Sequence, residues 1–253
     1  MAEQSFNRIE KKYIINKDQY HKIKSALDLH HLNIKDIDQH DTYHVSNIYY
    51  DTDDHLIIKK SVSKPFFKQK LRLRAYGDVF DDSMICLELK RKIDGYVNKR
   101  RSLLRVDEAY QMMNEHRLPE IKDYHNLQVL KEILYYINQY DLKPSVYLYY
   151  ERETYASLGE HPLRITFDTN ITSRRDDLDI QKVYGQKLLN DDLYVMEIKT
   201  NINYPIWLNE LLTKNNIFST SFSKYGTEFY NYLNQSNEKR SKQCLNPYLT
   251  ALR

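Results

Sequence analysis

The sequence predicts an α+β fold, a closed antiparallel β-barrel with helices packed outside. Three observations carry this. At least six short segments alternate charged and aliphatic residues with period two, as strands with one polar face do. The charges on those faces are mostly positive. The opposite faces are rich in Leu, Ile and Val and need cover, which amphipathic segments between the strands supply. A single strand of this kind would read as the solvated edge of an ordinary sheet. Recurrence across the chain favours a basic, water-filled bore. Such a bore implies a polyanion inside it.

The elements follow in order. Phe6–Ile15, FNRIEKKYII, opens the chain as a strand with Arg8, Glu10 and Lys12 in alternation. In Lys17–Leu29, Tyr20, Ile23, Ala26 and Leu27 recur at helical spacing, with Asn16 or Asp18 near the cap. His44–Tyr50 is a strand that ends in the turn-forming run Asp51-Thr52-Asp53-Asp54. Lys68–Tyr76 and Met84–Lys92 are long strands, and Asp94-Gly95 predicts a hairpin into Val97–Arg105. Asp107–His116 and Asn126–Asp141 read as helices. The second is marked by Leu127, Leu130, Ile133, Leu134 and Ile137. Val146–Tyr155 and Leu163–Thr169 pair around Gly159, and Asp192–Thr200 is another strand. Tyr204–Asn216 and Phe222–Leu233 complete the helices. No repeat or linker divides the chain. Residues 1–233 read as one domain and 234–253 as a loose polar tail.

At 253 residues the chain can bury a full core. Mean hydropathy is low, −0.73. The 23 tyrosines and eight phenylalanines offset that, since rings bury well and Tyr keeps a polar tip. Net charge is only +3, so its distribution matters more than its sum. The residues placed inward include Arg8, Lys12, Lys70, Arg72, Arg74, Lys90, Lys92, Lys99, Arg101, Arg152, Arg164, Lys199 and Lys224. Against them stand Glu10, Glu88, Asp168 and Glu197. The bore is cationic and the exterior net acidic. Cys86 falls in a core strand and Cys244 in the tail, with no CxxC spacing, so no disulfide is expected and a reducing cytoplasm suits the chain. The start has no apolar signal-peptide core, and no run of 18 apolar residues occurs. Neither secretion nor a membrane span of its own is expected.

The five glycines, Gly77, Gly95, Gly159, Gly185 and Gly226, form neither a P-loop nor a GxGxxG turn. Any phosphate must be held by Lys and Arg side chains, through planar guanidinium forks and compact ammonium charges. GxSxG and HExxH are absent. His40 and His44 have i,i+4 spacing, but His44 begins a strand, so the pair reads as solvated loop rather than metal ligands.

Taken as an ordered set, the strand motifs resemble a known family. FNRIEKKYII carries RxExKY at Arg8, Glu10, Lys12 and Tyr13, and SNIYYDT spans Ser46–Thr52. LRLRAYG carries RxR at Arg72 and Arg74. LELKRK carries ExK at Glu88 and Lys90, and VNKRRSL carries Lys99 and Arg101. YYERETY carries Tyr150 and Arg152, LRITFDT carries Arg164 and Asp168, and YVMEIKTN carries Glu197 and Lys199. FSTSFSKYG carries Ser223, Lys224 and Tyr225. From about Arg8 to Tyr230 this is similar to the VTC domain, the polyphosphate polymerase branch of the triphosphate tunnel metalloenzymes. The resemblance implies an eight-stranded basic tunnel that moves the γ-phosphate of ATP onto a growing polyphosphate with Mn²⁺ or Mg²⁺. It implies that Lys12, Arg72, Arg74, Lys90, Arg152 and Arg164 bind the triphosphate, with Lys224 among the catalytic cations. Lys99, Arg101, Tyr150, Lys199 and Ser223 join Lys224 in binding phosphates of donor or product. Glu197, with Glu10, would hold the metal. ATP, inorganic polyphosphate, and pyrophosphate or triphosphate are the implied ligands. Arg8 stands where the related triphosphatase and cyclase branch, with its ExExK motif, has an acid, which favours the VTC branch. The SPX domain and transmembrane helices of the eukaryotic polymerases are not seen in this sequence. Inositol-phosphate control and coupled export are therefore not expected, and a membrane partner is left open.

Other readings remain at this point. Retention of Glu10 and Glu197 is compatible with a tunnel triphosphatase that hydrolyses inorganic triphosphate or nucleotide. A non-catalytic module that binds polyphosphate would show the same cations. Glu10 and Glu88 read also as ion-pair partners that order basic neighbours, and Asp168 as a structural orienter. Tyr150 and Tyr225 read equally as wall packing. Nucleic acid is disfavoured as a partner, because Lys and Arg alternate with aliphatics rather than exposed aromatics.

Overall fold

Alternation along the strands sets the architecture. In the computed structural model, which describes residues 9–30, 33–34, 42–94, 96–120, 123–157, 162–201 and 203–245, each predicted strand and helix forms within those residues, and Phe6 to Arg8 of the first strand lie outside them. The strands are β1 (Ile9–Asn16), β2 (Asn33–Ile34), β3 (Tyr43–Asp51), β4 (Phe67–Tyr76), β5 (Met84–Ile93), β6 (Tyr96–Arg105), β7 (Lys143–Ala156), β8 (Leu163–Arg174), β9 (Gln186–Lys187) and β10 (Leu193–Thr200). The helices are α1 (Lys17–Leu29), α2 (Leu56–Val62), α3 (Val106–Glu115), α4 (Tyr124–Tyr140), α5 (Ile206–Lys214) and α6 (Lys224–Leu245). Arg8, His40, Gly95 and Gly159 lie outside the described residues.

Eight strands pair antiparallel in the order β1-β10-β8-β7-β3-β4-β5-β6, with β2 on β7 and β9 on β8. The predicted closure is not found. Among the described residues β1 and β6 end the path and do not pair with each other. Two features account for this. The free edge of β1 is occupied by the segment before α6, where the Thr220 N–H donates to the Lys12 carbonyl at 2.7 Å. The edge of β6 carries Lys99, Arg100 and Arg101, and charge on an edge strand resists further pairing.

The register puts the charged positions on one face. Arg72 opposes Glu88 and Tyr49, and Glu88 opposes Arg101. Arg152 opposes Asp168, Glu197 opposes both Thr166 and Lys12, and Glu10 opposes Lys199. The other face is apolar. Over β4 and β5, Leu71, Leu73, Leu87 and Leu89 pack beneath Leu130, Ile133 and Ile137 of α4 and Met112 of α3. Over β1, β8 and β10, Ile15, Ile165 and Ile198 pack beneath Ile23 and Leu27 of α1 and Leu208 of α5. Burying each such side chain is worth about 1.5–3 kcal/mol. α1 begins on a capping box, in which Asn16 accepts from the Gln19 N–H and Gln19 accepts in return from the Asn16 N–H.

The expectation that helices cover only the outside holds for four of them. α2 and α6 close the charged, concave side instead. Val146 and Leu148 alternate with Tyr150 on that face and pack against Ile58 of α2 and Tyr225 and Phe229 of α6. α2 has no sequence signal of its own. It starts because buried Asp51 accepts from the N–H groups of Ile57 and Ile58 at 2.8 and 3.0 Å. α6 also runs through the polar stretch from Asn234, which was expected to be a loose tail, as far as Leu245.

A candidate phosphate tunnel

The concave face encloses a cavity of about 1210 Å³. Twelve cationic side chains line it against four carboxylates, Glu10, Glu88, Asp94 and Glu197. Of the residues singled out in the sequence, Glu10, Lys12, Arg72, Arg74, Lys90, Tyr150, Arg152, Glu197, Lys199, Ser223 and Lys224 reach this space. Lys99, Arg101 and Arg164 do not line it. Lys99 and Arg101 project from the edge strand onto Glu88 Oε1 at 2.6 and 3.2 Å. Arg164 continues the row Glu10–Lys199–Arg164 across β1, β10 and β8, and its buried Nε meets no acceptor among the described residues.

Three acids, Glu88, Asp168 and Glu197, hold the cations in place. Glu88, buried in the wall, receives Arg72 through both Nε and Nη2 at 2.9 and 2.7 Å and also carries Lys99 and Arg101. Burial alone would raise its carboxyl, but Arg72 and Lys99 outweigh that and hold it at about 2. Asp168 takes a bidentate fork from Arg152, at 2.6 and 2.8 Å, and the Lys224 ammonium. These cations overcome its burial and keep the carboxyl well below the usual range. Lys224 is the first residue of α6, so this contact anchors the helix to the β-sheet. Glu197 is shared by Lys199 on Oε1 and Lys12 on Oε2, the latter at 3.7 Å. It too is held at about 2 despite burial, by Lys199 and then Lys12.

Two tyrosines orient the arginines. Tyr49 accepts from Arg72 Nη1 at 2.9 Å, and Tyr150 from Arg74 Nη2 at 2.7 Å. Tyr225 stacks on Tyr49 with centroids 4.7 Å apart and donates to Asp51 Oδ2 at 2.7 Å. Asp51 therefore joins the starts of α2 and α6 beneath the cavity wall. Tyr49 was not among the sequence candidates. Its signal was there, since Tyr49 alternates with Asn47 on the face of β3 that opposes Arg72 and Arg74. His44 lies 3.5 Å from Asp78 and against the Tyr149 ring, and no described group of three or more His, Cys, Asp or Glu could hold a metal ion.

Two of the groups that line the cavity are shifted towards neutrality. Burial lowers Lys70 to about 8, partly offset by Tyr49 and reinforced by Lys68, Lys12 and Lys90. Burial would raise Tyr49, but Arg72 and Lys70 bring it down to about 8. Both lose a proton on the same rise in pH, so the cavity loses a cation and gains an anion together. Affinity for tripolyphosphate is therefore expected to fall at least about tenfold between pH 7 and 9, since charge-assisted hydrogen bonds are worth about 1.5–3 kcal/mol. Binding at pH 8 should take up protons, read calorimetrically in buffers of different ionisation enthalpy. A flat profile without proton uptake would place both groups outside the binding site.

The cavity thus gathers side-chain cations on one concave face, with no backbone phosphate loop among the described residues. The chain belongs to the VTC domain family, whose model matches residues 7–231. Subunit 4 of the vacuolar transporter chaperone complex of Schizosaccharomyces pombe is 25% identical over 221 residues, which cover 72% of this chain and 30% of that protein. The chain therefore matches about a third of that relative's length. Among solved structures, a candidate adenylate cyclase from Bacillus halodurans superposes with a TM-score of 0.48 at 17% identity, over 86% of this chain and 94% of that one. HpAC1 from Hippeastrum, described with a dominant triphosphatase activity, superposes with a TM-score of 0.47 at 15% identity, over 86% and 93%. Among the described residues no helix is long and apolar enough to cross a membrane.

Proposed function

We propose that this chain is a polyphosphate polymerase that transfers the γ-phosphoryl group of ATP to the end of an inorganic polyphosphate within the cavity. The observation that supports it most is the lining, twelve cations around a space large enough for a donor and an acceptor chain together. Membership of the VTC domain family supports the same reading.

In the proposed reaction a terminal oxygen of the acceptor chain forms a bond to the γ-phosphorus. The bond from that phosphorus to the β–γ bridging oxygen breaks, and ADP leaves with the electron pair. The acceptor is already anionic, so no general base is needed. Catalysis then rests on alignment and on neutralising charge on the transferring group. Arg72, Arg74 and Arg152 are held in fixed orientations by Glu88, Tyr49, Tyr150 and Asp168, so they need little reorganisation. Lys12, Lys90, Lys199 and Lys224 add point charges around them.

The carboxylates fit a divalent cation of the Mn²⁺ or Mg²⁺ type. Glu197 lines the cavity with Oε2 only loosely engaged, and Lys199 lies between it and Glu10, 3.9 Å from Glu10 Oε2. Two protein carboxylates suit an ion that takes its other ligands from phosphate oxygens and water. When bound it would neutralise charge on the phosphoryl group. ATP, polyphosphate, and pyrophosphate or triphosphate are the proposed ligands, in the cytoplasm.

A tunnel triphosphatase is the second reading, favoured by the retention of Glu10 beside Glu197. Incubation of the purified protein with ATP and Mn²⁺, with products run on a polyphosphate gel and free phosphate measured in parallel, separates the two. A ladder supports the polymerase. Phosphate without a ladder transfers the assignment to hydrolysis. Neither product, in protein that still binds polyphosphate, leaves a binding module.

A further inference from the structure

Lys70 of β4 lines the cavity half-buried, with cations around it. Lys68 and Arg72 flank it on the same face of the strand, Lys90 stands opposite it on β5, and Lys12 acts on it from β1. Tyr49 of β3 faces it as well, and its ammonium lies 5.6 Å from the centre of the Tyr225 ring of α6. Lys12, Lys199 and Lys224 each have a carboxylate partner. Among the described residues Lys70, like Lys68 and Lys90, has none within ion-pair distance. Like charges placed opposite on neighbouring strands destabilise a sheet. A lysine enclosed by cations relieves that by giving up its proton, and burial together with Lys68, Lys12 and Lys90 lowers Lys70 to about 8. Lys68 and Lys90 shift the same way.

A neutral lysine is a nucleophile, and desolvation beside other cations is one way such an amine is activated. At pH 8 an amine of that pKa is about half neutral, on the order of a hundredfold more than an ordinary lysine near about 10.4. The same cations attract phosphoryl groups. Lys70 thus joins an available electron pair to surroundings that gather phosphoryl compounds. An acyl phosphate suits both features. Its phosphoryl oxygens match Lys90 and Arg72 on either side of Lys70, and its carbonyl carbon is the electrophile.

We propose that Lys70 is a site of covalent acylation by small acyl phosphates drawn into the cavity. The Nζ electron pair forms a bond to the carbonyl carbon. The bond from that carbon to the bridging oxygen breaks, inorganic phosphate leaves with the electron pair, and the amine proton passes to water. The product is a neutral amide, so the cavity loses one cation and affinity for a polyanion falls. The modification rests on the reading of the cavity as a phosphate receptor and gives that site a covalent brake. Lys99 separates geometry from basicity. Burial lowers it to about 8 too, but it does not line the cavity and its ammonium is held by Glu88 at 2.6 Å.

The test treats the purified full chain with acetyl phosphate at pH 8 and follows each lysine by mass spectrometry. Lys70 should be acetylated at least about tenfold faster than Lys99 and than the exposed Lys17, Lys22 and Lys131. Saturating tripolyphosphate should slow Lys70 at least about fivefold, by filling the cavity and returning the proton, and leave the exposed lysines within about twofold. Acetic anhydride, an uncharged donor, should show a smaller preference for Lys70. Tripolyphosphate affinity, measured by calorimetry, should fall at least about tenfold in the treated wild type. Treated Lys70→Arg, which keeps the charge without the amine, should stay within about twofold of the same variant untreated. Acetylation of Lys99, Lys68, Lys90 or the exposed lysines as fast as Lys70 would overturn the proposal. So would equal preference with the two donors, or no protection by tripolyphosphate that is seen to bind. Failure of the untreated protein to bind tripolyphosphate would instead remove the phosphate reading on which the proposal rests.

Discussion

Glu197→Ala is expected to lower turnover of ATP at least about a hundredfold, while metal-free affinity for tripolyphosphate rises. The two halves have different causes. The loss follows from removing the carboxylate proposed to hold the divalent cation. The gain follows from releasing Lys199 and Lys12, which now divide Glu197 between them. Each freed ammonium can then serve a phosphate oxygen. If Glu197 were only an ion-pair partner, the gain would appear without the loss. Glu197→Gln keeps the shape and the acceptor oxygen but not the charge, so it should follow alanine in turnover and in metal response. The Mn²⁺ concentration for half-maximal rate is the sensitive readout and should shift in both variants. Turnover within a few-fold of the wild type, at unchanged metal response, would refute the metal assignment.

Much of this site could be read from period-two alternation. The register across β3, β4 and β5 follows from keeping Leu71, Leu73, Leu87 and Leu89 in the core, because a slip by one residue would bury the cations instead. Once that register is fixed, Arg72, Arg74 and Lys90 must face the cavity. Closure could not be read the same way. Whether β6 meets β1 depends on what else competes for the edge of β1, and the competitor is Thr220, 208 residues away in sequence with no pattern of its own. α2 was illegible for a similar reason. Its first turn is stabilised by Asp51, which reads locally as part of a turn-forming Asp-rich run. Lys99 and Arg101 show the limit of pattern. They alternate on the correct face of β6, but an open edge leaves that strand outside the cavity. The placement of α6 depended on long-range polar contacts to Asp51 and Asp168, whereas local sequence indicated only that a helix was there.

Asp168→Ala should cost about 3–5 kcal/mol of stability, as removal of one partner from a buried charge cluster does. The carboxyl group is essentially inaccessible, and its loss takes from Arg152 and Lys224 the carboxylate that both pair with. For a chain of this size that corresponds to a drop in Tm of roughly 10 °C. The effect is also local, because Lys224 opens α6, so the Ser223–Tyr225 segment should lose protection from hydrogen exchange before the outer helices α1 and α4 do. Acid offers an independent check. A carboxyl whose pKa is depressed on folding stabilises the native state above its unfolded value, near 4, and that contribution is lost as pH falls through the folded value. Asp168 and Glu88 are both depressed, Glu88 to about 2, so the wild type should lose stability steeply from about pH 4 downward. Asp168→Asn, which retains the hydrogen-bonding shape without the charge, should start less stable at pH 7 and show a shallower acid slope. Equal slopes in the two proteins would mean that Asp168 does not carry its charge in the folded state, and the pairing with Arg152 and Lys224 would have to be abandoned as the anchor of α6.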